Sequence, residues 1–261
     1  MAREYVARDP RTGERIGAKP KGARKGVGIA ALSPDSGPWQ RLESHEILPL
    51  ANGESGKIEI LADGKRWLLG RIDAIKALAK VPEKDAERAY DSLVDALEDD
   101  FPDVRIAALK TLPSFSLRRQ GILLHCLSDR LQDDEDSVRE EAMTCLKKVA
   151  PLFPSGCEEI LRRELRDSRK DHRGNAFEAL KLASKDWPEV GCLHLDELIR
   201  EEEGDLRIRG SLILRTIASR GGAEAWDLIG WSLQDEEVRV RRNASKTLTI
   251  LADVEPRVAV I

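Results

Sequence analysis

The sequence predicts an all-α protein, a right-handed α-solenoid of antiparallel helix pairs, and three observations predict it. Arginines recur every 34 residues, at Arg71, Arg105, Arg139, Arg173, Arg207 and Arg241, with no insertion between any two. After each comes a small residue three positions on (Ala74, Ala108, Ala142, Ala176, Gly210, Ala244) and Leu at seven (Leu78, Leu112, Leu146, Leu180, Leu214, Leu248). That spacing draws one apolar stripe along a helix, which we call helix B. Upstream, Leu93/Leu97, Leu127/Leu131, Leu161/Leu165, Leu195/Ile199 and Ile229/Leu233 repeat at the same period. Each is an i, i+4 pair on one face of a second helix, A. An acidic turn joins A to B, as in Asp99-Asp100, Asp133-Asp134 and Asp235-Glu236. One such hairpin cannot bury its stripe alone, so the copies must stack.

Taken in order, residues 1–56 stand outside the repeat as a basic, Gly/Pro-rich N-terminal segment, in part disordered. They hold eight of the 19 glycines and five of the 12 prolines. Tyr5 to Ile16 reads as a small hairpin around Asp9-Pro10-Arg11-Thr12-Gly13. Lys19 to Gly26 reads as a basic linker. Trp39 to Leu48 reads as a short amphipathic helix, broken at Asn52-Gly53. Residues 57–261 form the repeat region. Lys57 to Leu61 alternates like a strand turning at Asp63-Gly64. A lone helix B is expected over 67–80. The A/B pairs follow at 83–99 with 103–113, 117–132 with 136–150, 156–167 with 170–184, 189–202 with 205–219, and 222–234 with 237–252. Pro82, Pro102, Pro154 and Pro188 fall at helix starts or connections, and Pro113 ends its helix early. Trp231 occupies a row of helix A filled elsewhere by Asp95, Asp129, Arg163 and Glu197. The apolar tail Val258 to Ile261 is expected to fold over it; the other reading makes both part of a contact surface.

The period of 34 is that of tetratricopeptide repeats, but the Trp, Gly and Tyr positions of that family hold other residues here. The acid closing helix A, six residues before the Arg of helix B, instead resembles HEAT repeats in the short form of phycobilisome-lyase-type proteins. The resemblance covers about residues 67–252. It implies a ladder of structural rungs, Asp99/Arg105, Asp133/Arg139, Asp167/Arg173, Glu201/Arg207 and Asp235/Arg241. Lys65 stands where Arg71 would need an acid, so that rung is expected to be missing. The resemblance also implies that helices B line the concave side and that most short arrays act as protein-binding scaffolds. A lyase-like enzyme is a further class, by family association only.

Charged residues make up 34% of the chain and aromatics 4%, with a net charge of −4. That composition suits a thin, Leu/Ala-based array. Residues 1–30 carry eight Lys/Arg against three acids, whereas residues 57–261 sum to −6. An acidic array argues against nucleic acid along its length; the arm 1–30 supports it as the alternative partner. Cys126, Cys145, Cys157 and Cys192 form no CxxC pair, which points to a reducing, cytoplasmic setting. No run of 18 apolar residues is present, so no membrane span is expected. His45-Glu46 resembles the His-Glu pairs of HEAT-type deoxyhypusine hydroxylases, but a di-iron site needs several. The helix-B rows lack the aromatics with which HEAT-like DNA glycosylases grip a base. No catalytic, metal or cofactor residue is assigned, and no cofactor is expected.

The reading is therefore a non-catalytic scaffold that binds a protein partner on helices B. Positions two, five and eight after each Arg lie off the buried stripe. Among them Lys147, Lys181 and Arg215 share one row, with Arg209 and Lys246 beside it. This basic track is the candidate receiver of an acidic segment.

Overall fold

A computed structural model describes residues 42–62, 64–115 and 119–254. The hairpin expected at Tyr5 to Ile16, the basic linker and the tail Val258 to Ile261 lie outside the described residues. The chain divides into two compact units, 1–142 and 143–261, with the division falling inside one helix.

The first unit opens with α1 (Ser44–Ala51), whose Ile47, Leu48 and Leu50 are buried. The Glu46 carboxylate accepts the Glu43 N–H at 2.9 Å, so the Glu of the His45-Glu46 pair caps this helix. Strands β1 (Ile58–Ala62) and β2 (Lys65–Leu69) pair antiparallel, with Ile60 opposite Trp67. Gly64 takes a φ of 71° in their turn, a conformation that glycine adopts without strain. The expected lone helix over 67–80 is thus corrected. Its start is a strand: Trp67 and Leu69 are buried on one side, with Leu68 between them half-buried on the other. Helix α2 spans only Arg71–Ala77. It packs against α1 and against α4 (Pro102–Thr111). Helix α3 (Ala86–Leu97) pairs with α4 and packs on α5 (Gln120–Arg130). Pro102 opens α4 at its first turn, and the turn containing Pro113 replaces its last one. Helix α6 (Asp136–Val149) follows.

The second unit holds α7 (Glu158–Glu164), α8 (Lys170–Asp186), α9 (Pro188–Leu198), α10 (Gly204–Ser211), α11 (Leu214–Ile217), α12 (Gly222–Leu233) and α13 (Val238–Val254). The single helix expected over 205–219 is two, because i to i+3 hydrogen bonds at Leu212 and Ile213 tighten the backbone between α10 and α11. Inside each unit, helices A pack on helices A and helices B on helices B, as α3 does on α5, α12 on α9, α2 on α4 and α10 on α13. The small-residue row lets helix B approach the helix A of its own repeat. A Cβ on Gly210 would lie 3.1 Å from the Cβ of Leu198. The stripe residues Ala108, Ala142, Leu146, Ala176, Leu180, Leu214 and Ala244 are fully buried.

The ladder exists, but its rungs join different residues from those expected. Each Arg donates from Nη1 to the backbone carbonyl of the acid six residues before it. Arg105 reaches Asp99 O, Arg173 Asp167 O and Arg207 Glu201 O at 2.7 Å each, and Arg241 reaches Asp235 O at 2.6 Å. Arg139 makes the same bond to Asp133 O. The carboxylates face the Arg of the preceding repeat instead. Arg71 pairs with Asp99 at 2.5 Å, Arg105 with Asp133 at 2.7 Å and Arg207 with Asp235 at 3.2 Å. Arg71 therefore has a rung, contrary to the expectation set by Lys65. One carboxylate oxygen also accepts the N–H two residues on, from Phe101, Glu135, Arg169 and Glu237 at 2.7–3.1 Å. That closes an Asx turn leading into helix B. Burial raises the pKa of Asp133, but bonds from Arg105 and the Glu135 amide outweigh it and leave the carboxyl below its usual value.

The rungs in the middle of the second unit are replaced. Asp167 turns to Arg169, at 2.6 Å, which takes its pKa down to about 2. Glu201, one methylene longer than Asp, bonds Arg166 at 2.7 Å. Arg173 meets Asp205 at 3.8 Å.

Candidate functional site

All five residues of the predicted track lie in the second unit. Lys147 Nζ donates to Asn175 Oδ1 at 2.6 Å, so position eight of one repeat touches position two of the next. Asn243 Nδ2 likewise reaches back to Ser211 Oγ at 2.8 Å. In the first unit Lys110 meets Glu141 at 3.5 Å across the same face. The face of helices B is thus continuous from repeat to repeat within each unit.

The charges on it differ in availability. Arg209 Nε is held by Asp205 at 3.0 Å, and Lys181 lies 3.8 Å from Glu178 on its own helix. Lys147 is tied to a neutral amide, not to an acid. Arg215 and Lys246 are exposed and make no ion pair among the described residues. These two line one groove of about 450 Å³ with Ser211, Leu212, Asn243, Thr247, Thr249 and Ile250. Five of the six positions read off the last two repeats therefore meet there; Arg209 is the one that does not. Leu212, in the turn between α10 and α11, is 58% exposed, as its row is in the other repeats.

Sequence reasoning missed one cluster. Glu164, Asp167 and His172 offer ligand atoms within 4.8 Å of one another. Glu164 is fully buried, and His172 Nδ1 lies 3.4 Å from its carboxylate. The signal was present: Glu164 and His172 occupy rows that hold Ala96 and Val104 in an earlier repeat. Arg163 bonds Glu164 at 2.8 Å and Arg169 bonds Asp167 at 2.6 Å, so a cation there would have to displace two guanidinium groups. The cluster reads as an internal charge network of the core.

The remaining histidines do other work. His45 is exposed on α1, and His125 is exposed beside Asp129 at 3.7 Å. His194 is fully buried with neither ring nitrogen hydrogen-bonded, and burial lowers its pKa to about 4. The four cysteines are buried free thiols; burial pushes Cys157 up to about 12. Trp231 is 65% exposed beside a cleft formed with Ile199, Arg200, Gln234 and Asp235. No helix among the described residues is long and apolar enough to cross a membrane.

Stacked helix hairpins with an Arg–acid ladder define a helical repeat protein. Residues 58–147 match the family model for HEAT repeats. No curated protein matches the sequence. Among solved structures, the chain is similar to one in the Kap95:Nup1 complex, at 14% identity and a TM-score of 0.49, over 78% of this chain and 30% of that one. It is also similar to a TOG domain array of crescerin, at 16% identity and 0.43, over 69% and 84%. A computationally designed armadillo repeat protein for modular peptide recognition aligns at 17% and 0.36, over 67% and 91%.

Proposed function

We propose that the protein is a non-catalytic scaffold that binds a partner protein on the face of its helices B, receiving an acidic segment along Lys147, Lys181, Arg215 and Lys246. The observation that carries this reading is the groove between α10–α11 and α13. There Arg215 and Lys246 stand exposed on one groove with no ion pair among the described residues, in an array whose sequence is acidic overall. Charges left unpaired steer an oppositely charged partner and set its association rate. Four free, buried cysteines favour a reducing setting, and the cytoplasm fits. Affinity capture from the native host followed by mass spectrometry identifies the partner. Reversal of Lys147, Lys181 and Arg215 together to Glu is expected to slow association and flatten its salt dependence, with the fold intact. If that variant binds the captured partner as wild type does, the basic face is not the site. The nucleic-acid alternative rests on residues 1–30, and binding of bulk RNA that falls steeply with salt would favour it.

A further inference from the structure

The groove between α10–α11 and α13 differs from the rest of the helix-B face in one respect. The row five residues after the Arg holds Lys110, Thr144, Glu178, Leu212 and Lys246. Leu212 is its one aliphatic member, and it is exposed like the rest of the row. A single exposed leucine is ordinary on any surface. Here it forms, with Ile250, the apolar floor of a concavity whose walls carry Arg215 on α11 and Lys246 on α13.

The other polar groups of the groove are already engaged. Thr247 and Thr249 donate to the carbonyls of Asn243 and Ser245 at 2.9 and 3.1 Å. Ser211 donates to Ile208 O at 2.7 Å while accepting the Asn243 amide at 2.8 Å. What the groove still offers a ligand is apolar area and two cations. We infer that it is a side-chain pocket for an acidic peptide segment carrying one aliphatic or aromatic anchor. The anchor covers Leu212 and Ile250, and flanking carboxylates pair with Arg215 and Lys246. This rests on the acidic-segment reading above and adds the anchor to it. Burying the anchor supplies affinity, whereas solvent-exposed ion pairs supply mainly steering and register.

The test uses the full chain and three short fluorescein-labelled peptides in a polarisation assay at low salt. One alternates aspartate and serine around a central leucine. The second has glycine in the centre, and the third replaces its aspartates by lysines while keeping the leucine. The leucine–aspartate peptide is expected to bind about tenfold more tightly than its glycine counterpart, the gain from burying most of one leucine side chain. Leu212→Ser should erase that ratio while leaving the weaker glycine peptide unchanged. Arg215→Glu with Lys246→Glu should weaken both acidic peptides. If the two acidic peptides bind equally and Leu212→Ser changes nothing, the anchor pocket is refuted and the acidic-segment reading stands. If the lysine peptide binds as well as the aspartate one, or the double reversal has no effect, both are refuted. Circular dichroism melts of each variant separate loss of binding from loss of fold.

Discussion

The turn edge and the helix-B face carry the same residue types and use them in opposite ways. On the turn edge, Arg105, Arg173 and Arg207 are buried, and each donates to backbone carbonyls at fixed offsets. On the helix-B face, Arg215 and Lys246 are exposed over an apolar floor with no ion pair among the described residues. Burial raises the free-energy cost of losing a partner, so the first set holds the fold. Exposure leaves the second set free to meet another molecule at little cost to stability. The comparison separates charges buried in the fold from charges left exposed, without appeal to residue type.

Arg105→Ala should break the comparison most forcibly, since it takes from the buried Asp133 carboxylate the nearer of its two guanidinium partners, leaving Arg130 at 3.2 Å, and deprives two turn carbonyls of that donor. A loss of about 3 kcal/mol is expected in urea unfolding, the scale for removing one partner of a buried pair. A loss below 1 kcal/mol would mean the ladder is not holding the turn.

His194 sharpens the same contrast through pH. Its folded pKa, about 4, lies below the ordinary value of 6.5, so the unfolded chain takes up a proton first. Stability is therefore full above about pH 6.5 and falls as pH drops from there toward 4, by at most about 1.4 kcal/mol per unit. Asp133, Asp167 and Glu197, whose pKa values are depressed, contribute stability that is lost only below the ordinary carboxylate range. His194→Leu should flatten the urea midpoint between pH 6.5 and 4.5. A midpoint that keeps its slope in that variant assigns the acid sensitivity elsewhere.

Arg139→Ala should cost less, about 1–2 kcal/mol, because its ion-pair partner Asp136 is largely exposed and the main loss is the bond to Asp133 O. Differential scanning calorimetry of this variant beside Arg105→Ala tests the ranking; the reverse order would show that carboxylate burial does not set rung strength. The smallest effect belongs to the other region. Arg215→Glu with Lys246→Glu should move stability by no more than about 0.5 kcal/mol. A large drop in its melting temperature would place those cations among the structural ones.

Much of the helix-B face was legible in the sequence. Positions two, five and eight after Arg207 and Arg241 follow from 3.6 residues per turn, and five of those six residues line the groove. The groove itself was not legible. It needs α10–α11 and α13 packed side by side, and the break after Ser211, where i to i+3 bonds replace a helical turn inside an otherwise helical pattern, was hidden as well. Trp67 was misplaced for a related reason: a short apolar run fits a strand or a helix, and pairing with Ile60 decided for the strand. The Glu164–His172 pair was visible only as a Glu and a His in rows that hold Ala96 and Val104 earlier, and packing made them one cluster.

The period, the stripe and the acid six residues before each Arg are properties of the sequence by itself. They determined a stack of helix hairpins with a charged turn. Which Arg each carboxylate meets could not be read from them. With a period of 34, an acid six residues before one Arg is necessarily 28 residues after the previous one, and both offsets recur equally well. Tertiary structure chose between them. The guanidinium reaches the carbonyls of its own turn with one edge and the next repeat's carboxylate with the other, while that carboxylate is also oriented by the N–H two residues on. An offset along the chain records that two residues belong together in the repeat. Only the stacking of one hairpin on the next places their atoms within bonding distance.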